Sequence, residues 1–462
     1  MVRAGGADRD RLVDVRERLD EDLDPDPRLA DERDPLVDDR LVLLRRVAVF
    51  CLLATVPVTL PTVADSGAEP SRGRARPAPE APRPPVRDRG FPRLLGAHMI
   101  SPMLVSQIPA LRDHWYPVAY ADDVTTEPLG VRVFGERHVV WRPSPDAAPV
   151  AAVDRCPHRA ARLSQGWVDD GTLVCPYHGW RYAPDGSCTD IPAADPGVPV
   201  PPRACLRSDA AGERYGLVWI CVGEPAGGIP DLGEADAEGY TLIHEMMEVW
   251  SASAPRIVDN ALDVSHVAFV HRGSVGSAAN PRLSDYTVER DGMRLRFEVS
   301  YVAAVPELQK RNTGITSDLT SRSTEAELVE PLIFRGKLTY HENGLEHVLY
   351  KTATPIDDDT TLFCQFIARN DDPARDRWED ISAMDRIVQA EDKALLEEIE
   401  SDLPTDVTSE VHIKADRMTL EYRRILGELA QLPSAGGPPP DGPGASPPPD
   451  DAAGTAVPVR VG

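Results

Sequence analysis

Lysine is nearly missing from this chain: five of its 50 basic residues are Lys, and none precedes Lys310. The remainder are Arg, a compositional bias without a basic patch, and it assigns no partner. Positive charge as a whole is outweighed, because 75 Asp and Glu give a formal net charge of −25. That balance excludes nucleic acid and anionic membrane surfaces as natural partners. Cysteine is sparse too. The seven, at positions 51, 156, 175, 188, 205, 221 and 364, are too few and too unevenly spaced for a disulfide framework, so a reduced, cytoplasmic protein is expected. Aromatic residues make up 6% of the 462 positions while prolines number 45, so part of the chain is expected to stay unpacked.

Long hydrophobic runs are almost absent. One uncharged stretch of 18 residues, 47–64, reaches the lower limit for a spanning helix. Pro57 and Pro61 break its second half, and the mixed-charge residues before it are the wrong preamble for a signal peptide. Residues 1–98 are therefore expected to be a disordered extension or the product of a start assigned upstream of Met99, with membrane association through 47–64 as the alternative. Residues 433–462, rich in Pro, Gly, Ser and Asp, are expected to be a disordered tail.

Between these flanks, short strand-like segments up to about residue 222 are separated by turn residues, the spacing of a small antiparallel domain. Longer strands follow over 284–370, with His341, Glu342, Asn343 and Gly344 forming a hairpin turn. Helices are expected over 256–271, 377–401 and 415–430. This is an α+β layout: a small β domain over 99–225, then a larger antiparallel sheet with helices over 226–432.

Two constellations carry chemistry. In the first, Cys156-x-His158 and Cys175-x-x-His178 are separated by sixteen residues. Two thiolates and two imidazoles could hold a tetrahedral zinc ion. Zinc modules usually draw like ligands from one loop, whereas here each loop supplies one Cys and one His. That division suits a [2Fe-2S] cluster in which one iron takes both cysteines and the other both histidines. Cys188, Cys205 and Cys221 lie outside this pattern and read as small buried hydrophobes.

The second constellation is Asn260-x-x-Asp263-x-x-His266-x-x-x-x-His271. His266 and His271 are five apart, about 140° round a regular helix, so both can face one metal if the helix widens as at a π-bulge or ends there. Two histidines leave a facial Fe(II) site one carboxylate short. On the late helix, Met384, Val388, Leu395 and Ile399 form an apolar stripe that also contains Asp392. A carboxylate facing a core is costly unless it is ion-paired or bound to metal, so Asp392 reads as the third ligand or as half of a salt bridge. Glu391 falls about 100° round the helix and reads as solvated.

The run DRCPHRAARLSQGWVDDGTLVCPYHGWRYAPDGSC resembles Rieske iron–sulfur domains of the oxygenase branch. The second motif and the segment EDKALLEEIE resemble the mononuclear-iron half of Rieske non-heme iron oxygenase large subunits, most like the subgroup of pheophorbide a oxygenase and vanillate O-demethylase. The resemblance implies a helix-grip catalytic domain, a homotrimer, and hydroxylation or oxidative demethylation of an aromatic or polycyclic molecule with O2 as co-substrate. It also implies that Asp263 bridges His178 of one subunit to His266 of the next, with Asn260 supporting the iron pocket. No Gly-rich dinucleotide fingerprint occurs in residues 99–432, so electrons from NAD(P)H are expected through a separate ferredoxin or flavin reductase. A ring cis-dihydroxylating dioxygenase and a pure electron-transfer protein are the competing readings.

Overall fold

In the computed structural model, residues 103–433 are described apart from positions 277, 280, 284, 285 and 407. The expected extension, the apolar run 47–64 and nearly all of the tail lie outside the described residues. No helix within them is long and apolar enough to cross a membrane.

Among the described residues there are three antiparallel sheets. The first joins β1 (Tyr116–Tyr120), β2 (Leu129–Val133), β3 (Glu136–Trp141), β4 (Val150–Val153), β9 (Ser208–Arg214) and β10 (Leu217–Cys221) in the order β1-β10-β9-β4-β3-β2. A smaller one runs consecutively through β5 (Trp167–Asp169), β6 (Thr172–Val174), β7 (Arg181–Tyr182) and β8 (Cys188–Asp190). The third holds β11 (Thr241–Trp250), β12 (Glu289–Asp291), β13 (Arg294–Ala304), β14 (Leu319–Glu330), β15 (Ile333–Tyr340), β16 (Leu345–Pro355) and β17 (Thr361–Arg369) in the order β11-β17-β16-β15-β14-β13-β12. As expected, residues 341–344 turn between β15 and β16, with Gly344 at φ 72°.

Alternation along β16 gives this large sheet two working faces. Val348 and Tyr350 point one way and pack with Leu217 and Trp219 of the first sheet. Leu349 and Lys351 point the other way, toward the helices: α1 (Ala254–Leu262), α2 (Val267–Val270), α3 (Glu307–Thr313), α4 (Trp378–Leu396) and α5 (Arg417–Leu429). Helix α5 buries Met418, Tyr422, Ile425, Leu426 and Leu429 at helical spacing. Ile257, Val258 and Leu262 of α1 join them in one core with Phe297, Phe334 and Phe363.

Three expectations need correction. The helix expected over 256–271 is not continuous. It stops at Leu262, where Asp263 turns extended (φ −85°, ψ 126°) and its carboxylate accepts from the backbone N–H and hydroxyl of Ser265, each at 2.7 Å. The late helix stops at Leu396, short of Ile399, and Leu395 lies on its outer side; the two are 41% (Leu395) and 38% (Ile399) exposed, and Ile381, Met384, Asp392 and Leu396 form the buried side instead. Cys205 is exposed rather than a buried hydrophobe.

Candidate metal centres

The first constellation sits on two turns of matching shape. In one, the N–H of Cys156 donates to Ala161 O and that of Ala160 to Cys156 O; in the other, the N–H of Cys175 donates to Trp180 O and that of Gly179 to Cys175 O, all at 2.9–3.0 Å. Ala160 and Gly179 occupy the same place in each turn, with φ of 57° and 72°. One turn leads from β4 toward β5, and the other is the tip of the β6–β7 hairpin. Both therefore project from the same small scaffold.

The four side chains separate by type. Both thiols are buried, at 2% and 1% exposure, and lie in the same hydrophobic cluster. The imidazoles of His158 and His178 lie outside them and are exposed, with ring centroids 4.5 Å apart. Two sulfurs behind and two nitrogens in front fit a two-iron cluster with unlike ends better than one tetrahedral ion. Trp180 stacks flat on His158 at 4.5 Å, and the Tyr182 hydroxyl lies 3.1 Å from Cys156 Sγ. Trp180 thus walls one side of the site. Tyr182 carried no motif signal, although it sits on a strand beginning three residues after His178.

The second constellation forms around a one-turn helix. His266 is the residue before α2 and His271 the residue after it, which brings side chains five apart to one point without a π-bulge. Their Nε2 atoms are 3.2 Å apart, and Asp392 Oδ1 is 3.5 Å from the first and 3.2 Å from the second. An ion about 2.1 Å from each donor places neighbouring donors about 3.0 Å apart at octahedral angles and about 3.4 Å apart at tetrahedral ones. The triangle fits one divalent ion. Asp392 Oδ1, the atom that faces both imidazoles, is buried without a hydrogen-bond partner, the mark of a donor built for something else.

The surrounding groups set the charge. Burial works against ionising Asp392, but His266, His271 and Lys351 outweigh it and hold the carboxyl well below the usual range. Burial likewise opposes a charged His266, yet Asp263 and Asp392 push it up to about 9. Asp263 Oδ2 is 3.6 Å from His266 Nδ1, an ion-pair distance rather than a hydrogen bond. Asn260 closes α1, its carbonyl accepting the N–H of Asp263 at 3.0 Å, and its side chain makes no hydrogen bond among the described residues.

Two residues escaped sequence reasoning. Glu391 is not simply solvated: its Oε2 lies 2.9 Å from His271 Nδ1 and accepts from Ser274 Oγ at 2.7 Å. Lys351 places its ammonium 3.8 Å from Asp392 Oδ2. The signal for Glu391 was its position beside Asp392; Lys351 had none beyond its rarity.

The Rieske [2Fe-2S] domain model matches residues 114–205, and the model of the vanillate O-demethylase oxygenase C-terminal domain matches 250–432. Methylxanthine N1-demethylase NdmA of Pseudomonas putida is 30% identical over 335 residues, which cover 71% of this chain and 91% of that protein. The chain belongs to the Rieske oxygenases. It is an oxidoreductase that uses dioxygen, with a [2Fe-2S] cluster in its first part. Dicamba O-demethylase of Stenotrophomonas maltophilia is 33% identical over a shorter stretch, 39% of this chain and 54% of that one. The solved structure of NdmA with caffeine superposes with a TM-score of 0.61 at 29% identity, covering 71% of this chain and 93% of that one. The solved structure of dicamba monooxygenase bound to 3,6-dichlorosalicylic acid shares the fold, with a TM-score of 0.61 at 23% identity and 70% and 98% coverage.

Proposed function

We propose that this Rieske oxygenase hydroxylates or oxidatively demethylates an aromatic or heteroaromatic small molecule. In this reading Cys156, His158, Cys175 and His178 hold the cluster, and His266, His271 and Asp392 hold a mononuclear Fe(II). The observation that carries it is the 3.2–3.5 Å triangle of His266, His271 and Asp392 donors. Bound there, the cluster supplies single electrons and the iron a place where dioxygen is activated beside the substrate.

The protein's own groups do the rest. Asp392 and His271 are each 2% exposed while the His266 side chain keeps 14%, so the triad is shielded from bulk water except beside His266. Glu391 fixes the ring of His271 through Nδ1, so that Nε2 faces the metal position. Asp263, anchored by Ser265, keeps Oδ2 toward His266. Exposed His178 and partly exposed Asp263 suit a bridge between subunits, in which Asp263 meets His178 of the partner subunit within a homotrimer. Electrons from NAD(P)H arrive through a separate ferredoxin or flavin reductase.

Demethylation is favoured over ring dihydroxylation because relatives named as demethylases include one that the chain matches over 91% of its length. The test is turnover with a surrogate reductase, NADH and a panel of aromatic methyl ethers and N-methyl heterocycles. Formaldehyde formed in step with NADH consumed is the expected result; a cis-dihydrodiol product overturns demethylation. About three irons per chain are expected, whereas about two describe an electron carrier.

A further inference from the structure

Two exposed arginines of the first sheet stand opposite each other across a hairpin: Arg132 of β2 pairs in register with Arg137 of β3. Like charges directly opposite on a sheet destabilise it. By strand alternation Gly130 and Val139 share their face. Val139 packs there with Cys156 and Leu163, and a Cβ on Gly130 would lie 3.0 Å from Ser164 Oγ. The arginine pair is therefore at the rim of the first cluster turn. That turn carries Arg159 beside His158 and leads into Arg162, all three exposed.

None of these four guanidinium groups makes a hydrogen bond or an ion pair among the described residues, whereas Arg112, Arg142 and Arg181 each meet a carboxylate. The acids nearby are committed elsewhere. Asp154 accepts from the N–H and hydroxyl of Ser164 at 2.7 and 2.6 Å, and Glu136 is held by Arg112 and Arg207. Desolvation, then Arg162 and Arg132, lower the Arg137 pKa against the pull of Asp154, so the three positive charges act on one another. In a chain with 75 Asp and Glu, this is a local excess of bare positive charge. No basic run marks it in the sequence, because its members come from a hairpin and a separate turn.

We propose that this arginine face beside His158 is the docking surface of the electron donor, and that the donor is a small iron–sulfur carrier with an acidic face around its own cluster. The inference rests on the reading in which His158 holds the cluster, and it narrows the donor to a ferredoxin. The net charge of −25 repels an acidic carrier from the molecule as a whole, so the one bare positive face also decides where it lands. A single hairpin rim and turn suit a compact carrier. One electron leaves the reduced carrier, which returns to its oxidised form, and enters the cluster; no atom crosses.

The test is stopped-flow reduction of the full-length oxidised protein by a prereduced, acidic plant-type [2Fe-2S] ferredoxin at rising salt, comparing the native chain with Arg137→Glu/Arg162→Glu. The native second-order rate constant is expected to fall as salt rises. At low salt the variant's should be about 10- to 100-fold lower, with the gap closing at high salt. Photoreduced deazaflavin, a small neutral reductant, should reduce both at one rate, and Arg137→Lys/Arg162→Lys should keep the native rate with ferredoxin. Three results overturn the docking surface: ferredoxin rates unmoved by the charge reversal, an equal loss with deazaflavin, or a changed oligomeric state in the variant, which would give the face to a second copy of the chain. A native protein without a [2Fe-2S] signal on reduction sinks the cluster reading itself and the docking surface with it.

Discussion

The imidazole of His271 is held between two consecutive carboxylates, with Nδ1 2.9 Å from Glu391 Oε2 and Nε2 3.2 Å from Asp392 Oδ1. One acid orients the ring and the next shares its metal-facing side. Glu391→Gln should therefore weaken iron retention by about 10- to 100-fold, measured by chelator competition, while the cluster absorbance stays as in the parent. Equal retention would show that Glu391 is a bystander.

Asp392→Asn removes the one anionic ligand of the triad. Iron content should fall from about three to about two per chain, and product formation should disappear while the cluster remains reducible. Retention of all three irons would move the carboxylate ligand elsewhere.

Asp263→Asn keeps the size of the side chain and removes its charge. Both metal centres should stay filled, but reoxidation of the prereduced cluster by substrate and dioxygen should slow by orders of magnitude in stopped-flow absorbance. A parental rate excludes Asp263 from the electron path.

Gly276 lies beneath the turn that ends in His271, with its N–H donating to His271 O at 2.7 Å. A Cβ there would lie 2.1 Å from Val267 O and 2.8 Å from the carbonyl carbon of His271. Gly276→Ala should lower Tm by several degrees and release the mononuclear iron first, because the displaced backbone carries a ligand. An unchanged melt with full iron would mean that the turn yields freely.

Glu234 is clasped by Arg335, whose Nε donates to Oε2 at 3.0 Å and whose second nitrogen reaches Oε1. Burial raises the Glu234 pKa, but the Arg335 bond outweighs it and the net shift is downward. A depressed carboxyl contributes stability that is complete above its unfolded pKa, about 4.3, and fades as pH falls below that through the folded value. Between pH 5 and 3 the native protein should thus lose urea resistance faster than Glu234→Gln. Parallel losses in the two would assign the acid sensitivity to other groups.

How much of this was legible in the sequence depended on how far apart the partners lie. The residues proposed to hold the cluster fall within a few residues of one another on each turn, and the two histidines of the triad within one short segment, so local spacing pointed to side chains that the fold brings together. Asp392 is more than a hundred residues from His271 and was legible because an acid on an apolar helical face is an anomaly. Glu391 was not, since a helix read against a flat sheet leaves that side in water, whereas here the turn after α2 wraps round to meet it. The break at Asp263 has no Gly or Pro to announce it; a side chain capturing Ser265 makes it. Strand β11 was missed because its register shifts between His244 and Met246, which scrambles the alternation that marks a strand.

Buried thiols behind and exposed imidazoles in front give the cluster a front and a back. In the proposed assembly Asp263 of the partner subunit takes up His178, so an incoming reductase would be left the side of His158, the other imidazole at the surface. A molecule that merely covered His158 would then starve the oxygenase without touching its substrate pocket.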